Sequence, residues 1–173
     1  LADPRIHLID ADGRRWLLSQ PEPYDIIVVD AVRPNTAYAG NLYSLEFYDL
    51  VASRLAPGGL FVQWIPTERV LNGVRKVFRY VAIGEVPDYF ASRFIVASNQ
   101  PLRLHLPTLR ERFAGVDLKA SFNPEQSRRL AEFFAGKRLQ RLWDRRKVMA
   151  LPDIDFNHDL HPRDEYFLNR PWW

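Results

Sequence analysis

The feature that most constrains the fold is an alternation of short apolar runs with amphipathic segments in the first part of the chain. The clearest run fills the segment Tyr24–Asp30, where β-branched residues lie between polar ends. A continuous apolar run of this length indicates a strand that is buried on both faces, as in a parallel sheet. Leu60–Ile65 has the same character. We therefore predict that these two segments are adjacent parallel strands whose ends open on the same edge of a sheet.

Helical and further strand patterns alternate with these two runs. Ser44 and Thr67 are typical N-cap residues, and each precedes apolar positions at helical spacing. Further strands are predicted at residues 5–9, 80–86 and 93–98, a short helix at residues 14–19, and two longer helices after Ser44 and Thr67. We expect Pro57-Gly58-Gly59 to end the first longer helix, and the last two strands to form an antiparallel hairpin at one edge. This order predicts an α/β fold with a mostly parallel sheet.

The character of the sequence changes after Pro101, and we predict a domain boundary there. Residues 1–101 would form the α/β core, and residues 102–173 a helical extension with a polar and aromatic tail. In the extension, Asn123 followed by proline is a strong helix start, because proline is favoured in the first turn. Helices are also predicted around Leu109 and Phe113 and across the Arg-rich residues 137–147.

Composition limits the chemistry that this chain can carry. It has no cysteine, which excludes disulfides, thiol catalysis and cysteine-ligated metal sites. The formal net charge is only +3, so nothing in the composition demands a nucleic acid partner, and none is expected. The longest apolar runs are strand-sized and fall short of the ~20 residues that a membrane helix needs.

Two polar stretches in the extension suggest other kinds of binding site, with weaker support. Residues 128–147 carry an excess of positive charge, which suits a solvated helix face or a contact with anionic lipid or nucleic acid. The tail holds side chains of metal-ligand type at His158, Asp159, His161 and Asp164. Their spacing matches no standard metal site, so no metal is expected.

Polar residues follow the predicted strands at the positions where parallel sheets bind ligands. Asp12 and Gly13 follow the first strand and Asp30 the second, and Gln63 lies near the end of the third. Asp12 offers an acceptor to an amino group, Gly13 allows close approach to the backbone, and Asp30 can act as a general base or hold a cation. The alternative is that these aspartates only cap helices or turns. The loop 31–43 is long for a structureless connection, which is typical of functional loops.

Four blocks of the sequence resemble, in their order and spacing, the spermidine synthase family. They are Arg5–Gly13, Tyr24–Asp30, Asn41–Tyr48 and Leu55–Gln63. The likeness is greater to the bacterial spermidine-synthase-like proteins that are often fused behind a membrane domain, and it covers about residues 3–100 and, more loosely, the tail. The resemblance implies a Rossmann-like fold of the S-adenosylmethionine-dependent methyltransferase type, truncated at its N-terminus. It also implies transfer of an aminopropyl group from decarboxylated S-adenosylmethionine to an amine.

The resemblance also implies roles for individual residues. Asp12, with Gly13 beside it, matches the residue that contacts the adenine amino group. Asp30 matches the acid that helps to deprotonate the attacking amine, and the long loop after it matches the loop that covers the site. Gln63 matches a polar residue of the amine pocket, as does Tyr89 once a gap is allowed. Decarboxylated S-adenosylmethionine or S-adenosylmethionine would bind as a substrate, and a small-molecule amine would be the partner.

One departure from the family lies at Arg33, where polyamine enzymes usually carry a second acid. A guanidinium there would repel a dicationic amine and would suit an anionic group on the substrate or on the methionine end of S-adenosylmethionine. Arg33 is therefore a candidate substrate-binding residue, unless its side chain only points to solvent. The departure leaves two alternatives open: a methyltransferase-like protein with a non-polyamine acceptor, and a non-catalytic binding domain that keeps the fold.

The glycine-rich loop and the ribose-binding acid of the family have no match, since the sequence contains no Gly-x-Gly and opens at Leu1 close to a strand pattern. We therefore expect the chain to be part of a longer transferase and, by itself, to bind a nucleoside weakly or not at all. We expect a cytoplasmic location, at the membrane face if the parent carries a membrane domain. A homodimer is left open.

Overall fold

The computed structural model describes residues 3–30, 33–34, 36–86, 92–102, 123–126, 128, 139–144 and 156–166. Its helices are α1 (Gly13–Ser19), α2 (Leu45–Arg54), α3 (Glu68–Val77) and α4 (Arg163–Tyr166), with a 3₁₀ turn at Ala39–Leu42. Its strands are β1 (Tyr24–Val29), β2 (Leu55–Trp64), β3 (Tyr80–Val86), β4 (Ser92–Ser98) and β5 (Leu139–Asp144). No helix within these ranges combines the length and the apolar character that a bilayer-spanning segment requires.

The five described strands form one sheet in the order β1-β2-β4-β3-β5. β1 and β2 are parallel, with Val29 opposite Gln63, which confirms the predicted pairing of these strands. The pairings β2–β4, β3–β4 and β3–β5 are antiparallel, so the α/β class is confirmed but the described sheet is mixed. β3 and β4 form the predicted hairpin, although not at the edge. β4 instead lies between β2 and β3, because its fully buried Ile95 and Ala97 suit an inner strand.

Two predictions about the N-terminal strands are wrong. Residues 5–9 belong to the described part of the chain but lie outside any strand, because no described strand offers them a backbone to pair with. β1 is also not covered on both faces. Ile26 and Val28 are 56% and 65% exposed, whereas Ile27 and Val29 pack against the core. An apolar run is compatible with burial of both faces of a strand. It does not show that another element of the fold packs against each face.

Side-chain caps define the first turns of the three longer helices. The side chains of Asp12, Ser44 and Thr67 accept hydrogen bonds from backbone N–H groups three residues later, at 2.8, 3.1 and 3.1 Å. The caps predicted at Ser44 and Thr67 are thus confirmed. α2 ends at Arg54, before the predicted Pro-Gly-Gly stop, which lies inside β2. Gly58 of that stop adopts a φ of 82°, a conformation that favours glycine.

The core is formed by α2, α3 and the central strands and is built around aromatic rings. The rings of Tyr48 and Phe61 have centroids 5.9 Å apart, and Phe61 stacks on Phe78 at 5.4 Å. All three side chains are fully buried, so they contribute much of the apolar area that stabilises the fold. The buried hydroxyl of Tyr48 needs a polar partner, and it donates to Oε1 of Gln63 at 3.0 Å.

Replacing Gly73 of α3 with alanine should destabilise the protein, although alanine is the better helix former by about 1 kcal/mol. A Cβ at this position would lie 2.8 Å from Cε2 of the buried Tyr48 ring. Because overpacking costs roughly 1–3 kcal/mol, we expect Gly73→Ala to lower the urea midpoint of unfolding. Gly13→Ala is the matched control, since its Cβ would meet nothing within 4 Å. Equal stability of the two variants would show that α2 and α3 can move apart at no cost.

The extension contains one wrong and one confirmed prediction. Residues 139–144 form β5 rather than part of an Arg-rich helix, because the edge of β3 offers backbone partners that outweigh a local helical preference. The helix start at Asn123 is confirmed. Its Oδ1 accepts from the N–H of Gln126, and Oε1 of Gln126 accepts from the N–H of Asn123, which is a reciprocal cap. The helix predicted around Leu109 and Phe113 lies outside the described residues.

Candidate active site

An open cleft of about 380 Å³ runs along the outer edge of β1, and we call it the β1 cleft. α1 supplies one wall, and the 3₁₀ turn with the start of α2 supplies the other. The lining residues are Gly13, Trp16, Leu17, Tyr24, Ile26, Ile27, Val28, Val29, Asp30, Leu42 and Phe47. This lining is largely apolar, with the carboxylate of Asp30 at one end. Such a cleft suits a ligand that joins a flat apolar part to a cationic group.

Asp30 follows the last residue of β1 and is exposed in the β1 cleft. Its negative charge acts on the phenol of Tyr43, which is itself buried. Burial raises the pKa of Tyr43 to about 12, and the charge of Asp30 adds to the shift. Tyr43 therefore keeps its proton at neutral pH and remains a hydrogen-bond donor. The strand pattern predicted the position of Asp30, but it could not single out Tyr43, which belongs to a different segment.

Gly13 begins α1 and lines the cleft, whereas Asp12 is the N-cap of α1 and is not among the lining residues. Oδ1 of Asp12 accepts from the N–H of Arg15 at 2.8 Å, so this residue does cap a helix. A carboxylate has two oxygens with several acceptor sites, and one cap does not exhaust them. Gly13 and Asp30 both line the β1 cleft, so the fold brings together two residues that the sequence predicted to share a site.

Gln63 lies behind the lining of the cleft rather than in it. Its side chain is 2% exposed, and Oε1 accepts from the hydroxyl of Tyr48 at 3.0 Å. Nε2 donates to the carbonyl of Leu42 at 3.5 Å, and Leu42 lines the β1 cleft. Gln63 thus links β2, α2 and the 3₁₀ turn from within the core.

Of the other two candidate residues, Arg33 belongs to the described part of the chain and Tyr89 does not. Arg33 is exposed, and its backbone carbonyl accepts from the N–H of Thr36 at 2.9 Å. Its neighbours Ala31 and Val32 lie outside the described residues, and so does Tyr89. The roles of Arg33 and Tyr89 stay predictions.

A segment near the end of the chain packs against both walls of the cleft, and we call residues 156–166 the strap. Oδ1 and Oδ2 of Asp159 accept from the guanidinium of Arg14 at 2.7 and 2.6 Å, and Oδ1 also accepts from the hydroxyl of Ser44 at 2.6 Å. The carboxylate of Glu165 accepts from the N–H groups of Tyr38 and Gly40 at 2.9 and 3.2 Å. Nothing in the local sequence signals these contacts, because 115 to 145 residues separate the partners.

Asp164 anchors the strap on α3. It is 6% exposed and accepts from the hydroxyl of Thr67 at 2.7 Å, from the guanidinium of Arg69 at 2.5 Å and from Nδ2 of Asn157 at 2.9 Å. Nδ1 of His158 lies 2.9 Å from Oε1 of Glu46. Three of the tail residues of metal-ligand type, His158, Asp159 and Asp164, therefore serve in hydrogen bonds and ion pairs. Among the described residues, no group of three or more carboxylates and histidines is arranged to hold a metal.

The attachment of the strap depends on ionised carboxylates. The hydrogen bond from Arg14 lowers the pKa of Asp159; burial opposes this, and the hydroxyl of Ser44 lowers the pKa further. Burial raises the pKa of Glu46, but the hydrogen bond from His158 and bonds from the backbone outweigh it, so that the pKa is lowered overall. Both groups thus favour the charged form in the folded protein.

Acidification should weaken the fold through these two carboxylates. Their pKa values are lower in the folded than in the unfolded chain, so the stability they contribute is present above the unfolded values near 4. It is lost as the pH falls through the folded values. Urea unfolding between about pH 6 and pH 3 should show this decline, and Asp159→Asn should flatten it. An unchanged pH dependence in the variant would rule out Asp159 as a contributor.

The first half of the chain matches a known protein family, and parts of the chain match individual relatives. The family described as the spermine/spermidine synthase domain matches residues 1–90, which is just over half of the chain. The polyamine aminopropyltransferase of Korarchaeum cryptofilum is 30% identical over 128 residues, covering 64% of this chain and 38% of that protein. The one from Mycobacterium tuberculosis is 45% identical over 65 residues, covering 36% of this chain and 12% of that protein. The chain therefore spans only a minor part of these curated relatives.

Solved structures share the fold at low sequence identity. A spermidine synthase in complex with the transition-state analogue AdoDATO has a TM-score of 0.56 at 20% identity, covering 76% of this chain and 48% of that chain. The spermidine synthase of Thermotoga maritima has a TM-score of 0.51 at 19% identity, covering 76% and 46%. Human methyltransferase-like protein 13 in complex with SAH scores 0.50 at 19% identity, covering 85% and 66%. These likenesses confirm the Rossmann-like fold, and the match over residues 1–90 shows that the chain belongs to the spermine/spermidine synthase domain family.

Proposed function

We propose that the protein transfers an aminopropyl group from decarboxylated S-adenosylmethionine to an amine. The observation that carries this proposal is the position of Asp30, which lines a largely apolar cleft directly after β1, in a chain of this family. The names of the relatives, polyamine aminopropyltransferase and spermidine synthase, support the same reaction.

In this reaction the nitrogen of the amine attacks the aminopropyl carbon that is bound to the sulfonium. A carbon–nitrogen bond forms and the carbon–sulfur bond breaks, so that sulfur leaves as the neutral thioether of methylthioadenosine. The amine must lose a proton to react, because an ammonium has no free electron pair. In our proposal Asp30 accepts that proton, and before this its negative charge attracts the ammonium form.

We assign roles to the other candidate residues from their positions relative to the walls of the cleft. In this proposal Asp12 and Gly13 contact the adenine, since they begin the α1 wall and Gly13 leaves the backbone open to a ligand. Gln63 shapes the amine pocket from behind, because it holds the carbonyl of the lining residue Leu42. Tyr89 is proposed as a further residue of that pocket.

By itself, this chain is proposed to bind the nucleoside only weakly. β1 is the edge of the described sheet, and the exposed side chains of Ile26 and Val28 leave the cleft open to solvent along that edge. A ligand pocket normally covers most of the ligand surface, which an open edge cannot do. The spermidine synthase that shares the fold is about twice as long as the matched part, since the match covers 48% of it.

A transfer assay tests the proposed function. We would incubate this chain, and the longest natural polypeptide that contains it, with decarboxylated S-adenosylmethionine and an amine. Methylthioadenosine and the elongated amine should form in equal amounts with the longer polypeptide, and calorimetry should detect no micromolar nucleoside binding by this chain alone. If neither polypeptide forms methylthioadenosine with any amine, the proposed function is wrong.

Replacing Arg33 with aspartate should increase turnover of a dicationic amine such as putrescine. Two like charges about 4 Å apart repel by roughly 4 kcal/mol at an effective dielectric near 20, and an acid would attract by a similar amount. Because Arg33 is exposed, water and salt reduce both effects, and we expect a gain of roughly tenfold. The measurement is kcat/KM of the longest natural polypeptide that contains the chain, for putrescine and for a monoamine.

The control for this variant is Arg128→Asp, which makes the same change in net charge at an exposed residue of a different segment. If Arg33→Asp behaves like this control with both amines, Arg33 points to solvent. A gain for putrescine in Arg33→Asp alone would mean that the wild-type acceptor is not a dicationic polyamine precursor.

The proposed partner is a small-molecule amine. The same proposal includes a homodimer, a membrane domain in a longer parent protein, a domain boundary at residue 101 and a cytoplasmic location. Light scattering on the purified chain gives its mass and so decides between monomer and dimer.

A further inference from the structure

The strap reaches the 3₁₀ turn through Glu165. Its two carboxylate oxygens accept from the N–H groups of Tyr38 and Gly40, at 2.9 and 3.2 Å. Tyr38 has a φ of 67°, in the left-handed region that residues other than glycine rarely adopt. Its side chain is 86% exposed, so packing of the ring does not hold this conformation. The two hydrogen bonds from the backbone to Glu165 therefore stabilise the start of the turn, together with the local bond from the N–H of Ala39 to the carbonyl of Thr36 at 3.0 Å.

The strap also lies directly on the turn. A Cβ on Gly40 would overlap the ring of Pro162 and would lie 2.8 Å from Oε2 of Glu165. Gly40 is buried, which agrees with this close approach. The 3₁₀ turn and the strap are therefore in close contact at Gly40, Pro162 and Glu165.

On the opposite wall the strap reaches α1 through Asp159. The carboxylate binds the guanidinium of Arg14 through two hydrogen bonds, a geometry that fixes direction as well as distance. The same guanidinium donates to the carbonyl of Asn41 at 2.8 Å, within the 3₁₀ turn. Asp159 also accepts from Ser44, which caps α2. One carboxylate thus connects α1, the turn and α2.

These contacts are adjacent to the residues that line the β1 cleft. Arg14 directly follows Gly13, and Asn41 directly precedes Leu42, and both of these neighbours line the cleft. Asp30 lines the same cleft. A movement of either wall would therefore change the width of the cleft and the surroundings of Asp30.

We propose that Asp159 and Glu165 are positioning residues, which hold α1 and the 3₁₀ turn at the spacing that forms the β1 cleft. They act through the backbone of the turn and through Arg14, and they touch no substrate. This role rests on the proposed function, in which the two walls bind the nucleoside and the amine.

Amide hydrogen exchange on the purified chain tests the proposal without any substrate. Hydrogen bonds to a charged acceptor are strong, so Glu165→Ala should speed exchange of the Tyr38 and Gly40 amides roughly 10- to 100-fold. Glu165→Gln keeps one acceptor oxygen and should show a smaller effect, and amides of β2 and β4 should be unchanged in both variants. Asp49→Ala, which removes an exposed carboxylate of α2, is the matched control. If Glu165→Ala exchanges like this control at both amides, the proposal is overturned.

Kinetics of the longest natural polypeptide provide the second test. Misplaced walls should lower kcat/KM roughly 10- to 100-fold in Glu165→Ala, since small displacements at a reacting centre have effects of this size. Glu165→Gln should recover part of the loss, and Asp159→Asn should raise KM for the nucleoside. Unchanged kinetics in all three variants would also overturn the proposal. If the wild type transfers no aminopropyl group, the proposed function fails, and amide exchange alone decides whether the strap holds the turn.

Discussion

In the longest natural polypeptide that contains this chain, an Asp30→Asn variant is expected to turn over roughly 10²–10⁴ times more slowly than the wild type, the usual loss when a positioned proton acceptor is removed. Asparagine keeps the size of the side chain and one acceptor oxygen, but it does not take up a proton at neutral pH. Asp30 is exposed after the end of β1, so the fold should not change. Nucleoside binding should also persist, because the proposed adenine contacts lie on the α1 wall.

Steady-state formation of methylthioadenosine measures this effect, and calorimetry on the same variant measures nucleoside binding. Asp25→Asn is the matched control, because Asp25 is an exposed aspartate of the same strand that does not line the β1 cleft. The control should keep wild-type turnover. Full activity in Asp30→Asn would mean that Asp30 only caps a turn, and its role as a base would have to be abandoned.

The largest loss of stability is expected from Asp164→Ala. Its carboxylate is nearly fully buried and receives hydrogen bonds from Thr67, Arg69 and Asn157. Removing one partner of a buried charge pair is strongly destabilising, and such changes cost about 3 kcal/mol or more. Arg69 keeps some solvent contact, with 21% of its side chain exposed, so we expect a loss of about 3 kcal/mol in the free energy of unfolding.

Urea unfolding of Asp164→Ala and Asp164→Asn separates the effects of charge and shape. Asparagine fills the same space and can still accept one hydrogen bond, so it should lose less than alanine does. Asp49→Ala removes an exposed carboxylate and should stay within about 0.5 kcal/mol of the wild type. A midpoint for Asp164→Ala equal to that of Asp49→Ala would show that the strap contributes nothing to global stability.

Elements whose determinants are local could be predicted from the sequence. The caps at Ser44 and Thr67 bond to N–H groups three residues away, so their signal lies within one turn of helix. The parallel pairing of β1 and β2 follows from two apolar runs separated by a helical pattern. Asp30 follows Val29 and Val29 pairs with Gln63, so both candidate residues lie at the carboxyl ends of the two strands, although the buried Gln63 does not open into the cleft.

Elements that need a distant partner could not be predicted. Residues 5–9 have a strand pattern but no described strand beside them, and residues 139–144 have an Arg-rich helical pattern but pair with β3. A strand forms only where another backbone supplies hydrogen bonds, so its existence depends on the rest of the fold. The exposed face of β1 could not be predicted for the same reason, because an apolar side chain does not specify which element packs against it.

The sequence by itself determined the α/β class, the capped helices, the parallel pair of strands and, through the family resemblance, the candidate residues Asp12, Gly13 and Asp30. Only the tertiary structure decided that the charge of Asp30 acts on the buried phenol of Tyr43, that Gln63 supports the cleft from behind, and that the strap ties both walls together. The reason is the range of the interactions. Caps and apolar periodicity act over a few residues, whereas a carboxylate that binds an amide 125 residues away leaves no trace in local sequence.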